Sequence, residues 1–216
     1  MHRVESRNDK GTTTSDYFDK DYFSGKKKSS YLDYRFQSFK WKWKTAIEYF
    51  KQLGSKDKDY LDVGCAFGYL VNFAQPYFRS VKGVDISSYA VSEARKRYPE
   101  VDFIEADVTK KLPFPEKTFD FLSGVDVLEH FEDVDIALKE VYRVLKPGGY
   151  GYFSMPYVGL ARKALGWLDP DRSHVAILTP EDYEEKFLKA GFSTKEQKKW
   201  WVGSIHFLVQ KPTVKK

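Results

Sequence analysis

Residues 59–70 read DYLDVGCAFGYL, a short β-rich apolar run that ends in a turn of small residues. Tyr60, Leu61 and Val63 suit a strand, and Gly64, Ala66 and Gly68 put a small side chain at every second position after it. Glycine reaches positive φ at no steric cost and lacks the Cβ that keeps another group off the backbone. Two glycines this close predict a tight turn that something approaches closely. A turn of that kind between a strand and a helix is common, so the flanking sequence has to say what approaches.

Outward from this run, β-rich segments alternate with helical patterns. The predicted strands are 58–63, 81–85, 101–105, 119–124, 149–154, 192–200 and 204–210. Upstream, Phe36, Phe39, Trp43, Ile47 and Phe50 recur at spacings of three and four, which predicts a helix over 36–53 closed by Gly54. Strand–helix–strand repetition predicts an α/β fold: a doubly wound, mostly parallel seven-stranded sheet with helices on both faces. The short VGS connection at 202–204 makes the last two strands an antiparallel hairpin. The expected organisation is an aromatic, basic arm over 1–35, able to serve as a lid, and one domain over 36–211.

Composition narrows the function classes. The 216 residues include 42% hydrophobic and 31% charged residues, with no apolar run near the ~18 residues that cross a bilayer. The start, MHRVESRNDKGTTTSDYF, has no apolar signal core, so a cytoplasmic location is expected. Cys65 is the only cysteine, which excludes an internal disulfide and a cysteine-cluster zinc site. The net charge of +5 comes with lysine clusters at Lys26–Lys28, Lys40–Lys44 and Lys198–Lys199. They read as solvated surface and keep RNA or an acidic protein open as an alternative partner.

The second predicted strand, SVKGVDIS, ends in Asp85, where a carboxylate can accept hydrogen bonds from both hydroxyls of a ribose. A Gly-rich turn plus this acid describes a nucleoside site, for NAD or for S-adenosylmethionine. The six-residue G-x-G-x-x-G pattern of dinucleotide sites is absent. Asp62, just before the turn, would repel a pyrophosphate and suits a cationic amino and sulfonium end. Spacing and charge therefore favour S-adenosylmethionine.

With these residues in view the chain resembles the class I S-adenosylmethionine-dependent methyltransferases, in particular the small-molecule branch labelled type 11, which implies a Rossmann-like fold. The matching segments are LDVGCAFG at 61–68, GVDIS at 83–87, DFIEADVT at 102–109, FDFLSGVDVLEH at 119–130, LKEVYRVLKPGGYGYFSMP at 138–156 and SHVAILTPEDYEEKFLKAGF at 173–192. Ala66 replaces the middle glycine of the loop, and Phe67 replaces the usual small hydroxyl residue, which is expected to narrow the pocket. The resemblance implies that Asp62, Gly64, Cys65, Ala66, Gly68, Asp85, Ile86, Asp107, Val108, Ser123, Gly124 and Val125 hold the cofactor. Asp107 would meet the adenine amino group, with Val108 beside the ring, and Ser123, Gly124 and Val125 would border the methionine part. Thr179 and Pro180 stand as N-cap and first residue of a helix.

Methyl transfer from a sulfonium mainly requires alignment, and a base only where the acceptor atom carries a proton. Asp126, His130 and His174 are the catalytic candidates, with Glu129 and Tyr157 also placed near the expected acceptor. In some quinone O-methyltransferases of the family an acid followed by Glu-His holds a divalent cation. Asp126, Glu129 and His130 match that spacing and are the alternative metal set, while the expectation is that no metal is bound. A lone cysteine in the cofactor loop and no Pro-Pro-Tyr or Pro-Pro-Phe segment after the fourth strand disfavour nucleic-acid base methylation. The expected reaction is methylation of an O, N or C atom of a small molecule. A methyltransferase acting on RNA or protein and a non-catalytic nucleoside-cofactor-binding protein are the alternatives.

Overall fold

The computed structural model describes residues 15–27, 34, 43–158, 171, 173–200 and 203–213. The arm contributes a short helix α1 (Lys20–Phe23), capped by Asp19, whose side chain accepts from the N–H groups of Asp21 and Tyr22. Helix α2 (Lys44–Leu53) follows, with Thr45, Ala46, Tyr49 and Phe50 buried on one face. The expected helix began earlier, but residues 36–42 lie outside the described residues. Gly54 does close α2, though at φ −68° in extended conformation. Its lack of Cβ is what matters, since a Cβ there would sit 2.4 Å from the Phe50 carbonyl oxygen.

The remaining elements alternate as the sequence pattern requires: β1 (Asp59–Val63), α3 (Tyr69–Ala74), β2 (Ser80–Asp85), α4 (Ser88–Arg97), β3 (Asp102–Glu105) and β4 (Phe119–Val125). Then come α5 (Val134–Val144), β5 (Leu145–Pro156), α6 (Pro180–Lys189), β6 (Ser193–Lys199) and β7 (Ser204–Gln210). Seven strands form one sheet in the order β3-β2-β1-β4-β5-β7-β6. All pairs are parallel except β5–β7 and β6–β7, so β7 alone runs against the others. The expected mostly parallel, Rossmann-like doubly wound sheet with a C-terminal antiparallel hairpin is the observed one.

Alternation along the strands builds two large cores, beside a smaller cluster around Val71, Val91, Ala94 and Phe103. Phe153, Phe207 and Val209 face α5 and α6, where Val134, Ala137, Leu138, Val141 and Val144 line a helical face at spacings of three and four. Tyr152 and Leu208 face the opposite side, packed with Phe50, Tyr60, Phe78 and Phe121 under α2. The same core takes in Phe18, Tyr22, Phe23 and Tyr34, which fastens the arm to the domain. Helix α6 starts with Pro180 and a capping box in which Thr179 and Asp182 satisfy each other's backbone N–H. No helix among the described residues is long and apolar enough to cross a membrane.

Strand order reverses at β1, which has β2 on one side and β4 on the other. The β1 and β4 connections leave in opposite directions there, so a crevice opens at the carboxyl ends of these strands.

Candidate active site

The loop after β1 is shaped by three left-handed residues, Gly64 (φ 71°), Ala66 (φ 46°) and Gly68 (φ 77°). A Cβ on Gly64 would lie 2.6 Å from a Val127 methyl, and one on Gly68 would lie 2.4 Å from the Phe103 ring. Both glycines are therefore required by sterics as well as by φ. Ala66 holds the same region with a side chain, in exchange for a hydrogen bond from its N–H to Asp85 Oδ2 at 2.8 Å. The N–H groups of Gly64 and Cys65 donate to the Val84 carbonyl, which clamps the loop onto the end of β2.

Asp85 ends β2 and is buried, yet it lines the cleft. Its second oxygen accepts the Ser87 N–H at 2.8 Å. Burial raises its pKa, opposed by these two backbone donors. Each carboxylate oxygen keeps lone-pair capacity after one backbone bond, as a sugar diol would need. Asp107 follows β3 and is fixed by accepting from the N–H and hydroxyl of Thr109 at 2.9 and 2.6 Å. Val108 and Ile86 line the cleft with it.

The cleft is walled by Gly64, Ala66, Asp85, Ile86, Asp107, Val108, Val125, Asp126 and His130 among the residues expected from sequence. Phe18, Tyr22, Phe23 and Tyr34 of the arm line it too, with Val127 and Phe131. Five expected cofactor residues do not line it. Asp62 is buried behind the wall and accepts a hydrogen bond from Ser123 Oγ, which also meets the Tyr60 hydroxyl at 2.6 Å. Burial, with the nearby Asp85 charge adding, pushes Asp62 up to about 7, opposed by the Ser123 and Tyr60 hydrogen bonds. The expected direct contact of Asp62 with a cationic ligand end is replaced by this internal network. Cys65 faces Gly83 and Phe103, where burial raises its thiol pKa. Gly68 makes room for Phe103, and Gly124 for Phe153 and Val127. Their roles are in packing.

Phe67 does not narrow the cleft. Its ring is fully buried outside the lining, at centroid distances of 4.9 Å from Phe23 and 5.1 Å from Tyr34, with the Arg97 guanidinium 5.6 Å away. The replacement of a small hydroxyl residue by phenylalanine thus supplies the arm with an anchor.

His130 closes the 3-10 turn Leu128–His130 after β4 and lies against the cleft. Its Nδ1 meets Ser173 Oγ at 3.0 Å and the Ser173 carbonyl at 3.2 Å. Burial, aided by the neighbouring His174, lowers its pKa to about 4, so the ring is neutral at pH 7. His174 does not line the cleft, although its ring lies 4.8 Å from that of His130. Tyr157 is likewise outside the lining.

The alternative metal set of Asp126, Glu129 and His130 is not the group the fold brings together. His174, not Asp126, stands with Glu129 and His130, and the donor atoms of these three spread up to 4.8 Å apart. Ligands of one zinc ion at ~2.1 Å would sit about 3.4 Å apart. That spread, with His130 Nδ1 taken by Ser173, does not make a ligand set, and no ligand role is assigned to the three. Sequence reading missed Asp171 and Ser173, the residues that hold His130 from behind. The Asp-x-Ser spacing is a turn signal, and the Ser173 N–H and hydroxyl do return to Asp171 Oδ1 at 3.0 and 2.5 Å.

Residues 61–153 match the family described as Methyltransferase domain, type 11. A demethylmenaquinone methyltransferase from Chlorobaculum tepidum is 36% identical over 110 residues, 50% of this chain and 45% of that protein. A ubiquinone biosynthesis O-methyltransferase from Chelativorans is 28% identical over 152 residues, 63% of this chain and 59% of its own length. The chain spans about half the length of the curated relatives it matches. Among solved structures, a SAM-dependent methyltransferase from Mesorhizobium loti superposes with a TM-score of 0.64 at 19% identity, covering 80% of this chain and 98% of that one. The sheet order, the matched segment and these relatives agree: residues 61–153 are similar to a methyltransferase domain, and the fold is that of S-adenosylmethionine-dependent methyltransferases.

Proposed function

We propose that the protein transfers a methyl group from S-adenosylmethionine to a small-molecule acceptor, at an oxygen bearing a proton. One observation carries this reading: Asp85, held by two backbone N–H groups at the end of β2, lines a cleft together with Ala66, Asp107 and Val108. Those residues fit an adenosyl group, since the acid keeps lone pairs for a diol and Ile86 and Val108 offer apolar surface to a base. When bound, S-adenosylmethionine supplies an electrophilic methyl on a sulfonium that leaves as a neutral thioether.

The chain's own residues then have three tasks. Asp85 binds the ribose hydroxyls, Asp107 accepts from the adenine amino group, and Val108 and Ile86 pack the ring. Phe18, Tyr22, Val127 and Phe131 exclude water from the acceptor end, where an aligned and dry approach lowers the barrier. His130 takes the acceptor hydroxyl's proton, because a neutral imidazole can do so at pH 7. Asp126, in the left-handed region at φ 52°, borders the same end.

The relatives that act on quinone precursors favour a flat hydroxylated ring as acceptor, in keeping with the aromatic wall. Calorimetry with S-adenosylmethionine, S-adenosylhomocysteine and NAD tests the cofactor: the first two are expected to bind and NAD not. Incorporation of labelled methyl into a panel of catechols and hydroquinones, with total RNA and a protein extract as competitors, tests the acceptor. Labelling of RNA or protein alone overturns the small-molecule reading, and binding of NAD alone overturns both.

A further inference from the structure

A chain of four side chains joins the arm to the cleft. The Tyr22 hydroxyl donates to Asp171 Oδ2 at 3.0 Å. Asp171 Oδ1 accepts the Ser173 hydroxyl at 2.5 Å and the Ser173 N–H at 3.0 Å. Ser173 Oγ and the Ser173 carbonyl then meet Nδ1 of His130 at 3.0 and 3.2 Å. All four residues are buried, and the first and last line the cleft.

Proton counting along this chain favours one arrangement. A serine hydroxyl has a single hydrogen, and Ser173 spends it on the Asp171 carboxylate. Both groups facing His130 Nδ1 are therefore acceptors: the lone pairs of Ser173 Oγ and a carbonyl oxygen. Nδ1 must carry the ring hydrogen, which leaves the lone pair of the neutral ring on Nε2. The arm approaches the ring directly as well, with Phe18 edge-on to His130 at 5.4 Å, while the Phe18 carbonyl accepts from Ser87 Oγ next to Asp85. The other polar groups around His130 are His174 and Asp126, and Glu129 precedes it in the chain.

We propose that docking of the arm sets the state of the base: Tyr22, through Asp171 and Ser173, fixes His130 in the Nδ1–H tautomer with Nε2 free to accept a proton. Tyr22, Asp171 and Ser173 are positioning residues, and the arm acts as part of the catalytic machinery as well as a cover. Calling His130 the base rests on the methyl-transfer reading; the tautomer and its dependence on the arm do not.

The test is a long-range 15N correlation spectrum of the histidine rings in the full chain at pH 7, with no acceptor present. The chain has four histidines, and a His130→Gln variant assigns the signal. A protonated Nδ1 and a bare Nε2 are expected in the native protein. In Tyr22→Phe, and independently in Asp171→Asn, the two nitrogen shifts of His130 should move toward each other as the tautomers mix. Ser173→Ala should do the same and Ser173→Thr should restore the native pattern, which a purely structural loss would not. An Nε2–H tautomer in the native protein overturns the proposal, and so does a native His130 pattern in folded Tyr22→Phe. Thermal unfolding of each variant confirms folding, and the Ser173→Ala and Ser173→Thr pair decides if Tyr22→Phe unfolds. Absence of S-adenosylmethionine binding in calorimetry would instead sink the functional reading and leave the tautomer result standing.

Discussion

The backbone N–H of Ala66 points at Asp85 Oδ2 from 2.8 Å, so the carboxylate assigned to the sugar also holds the loop that encloses it. Under the proposed function, binding and loop shape are coupled in one side chain. Asp85→Ala leaves the N–H groups of Ala66 and Ser87 without this acceptor, at roughly 1–3 kcal/mol for each buried donor. Asp85→Asn keeps one carbonyl oxygen. The expected order of S-adenosylmethionine affinity is native, then Asn, then Ala, with Asn weaker by about 10–100-fold, from one charged hydrogen bond. Calorimetry checks the affinities, and a thermal melt should rank stability in the same order.

Ala66 sits at φ 46°, where a β-branched residue is a strong outlier. Ala66→Val should lose about 1–3 kcal/mol, while Ala66→Gly should be close to neutral, because relief of strain offsets the freedom gained by the unfolded chain. Urea unfolding of both variants gives the comparison. Equal stability of Val and Gly would mean that the loop does not hold this conformation in solution.

Asp62 and His130 give stability opposite pH slopes. Asp62 keeps its proton to about pH 7 in the folded state but releases it near 3.8 when unfolded. The folded state then binds more protons between these values, so Asp62 makes stability fall as pH rises from about 4 to 7. His130 titrates near 4 folded and 6.5 unfolded, so its contribution is lost as pH falls from about 6.5 to 4. At about 1.4 kcal/mol per unit, each effect is on the order of a few kcal/mol. Relative to the native protein, Asp62→Asn should therefore gain stability steadily from pH 4 to 7, and His130→Gln should gain it from pH 6.5 down to 4. Melting temperatures across that range read both slopes.

Phe67 binds the arm through Phe23 and Tyr34. Phe67→Ala should cost about 3–5 kcal/mol and expose residues 15–27 to protease. Limited proteolysis should cleave there in the variant before any cut in the sheet appears. Cutting in the sheet first would mean that the arm does not depend on this ring.

The fold was legible because its signals are local. Period-two apolar runs, the Gly-rich turn and the Thr179–Pro180 helix start each reflect a backbone need that neighbouring residues reveal, and strand ends fell within a few residues of those observed. The positions of Asp85 at the end of β2 and of Asp107 just after β3 were legible for the same reason. What escaped depends on depth and on distant partners. Asp62 and Asp85 look alike in sequence, yet one is turned into a buried network with Ser123 and Tyr60 and the other opens on the cleft. Phe67 read as an obstruction because its partners, Phe23 and Tyr34, lie far upstream. Asp171 and Ser173 meet His130 only through tertiary packing.

Strand β7 follows both β5 and β6 in the chain, yet it lies between them and pairs with each over most of its length. During synthesis β6 therefore has no seat until residues 204–210 have emerged from the ribosome. Until then β5 is a naked edge carrying Phe153 and Met155 beside unpaired backbone groups, a template for sticking to another nascent copy. The keystone of this sheet is laid late, so anything that stalls translation before it leaves a half-built barrier with its adhesive side outward.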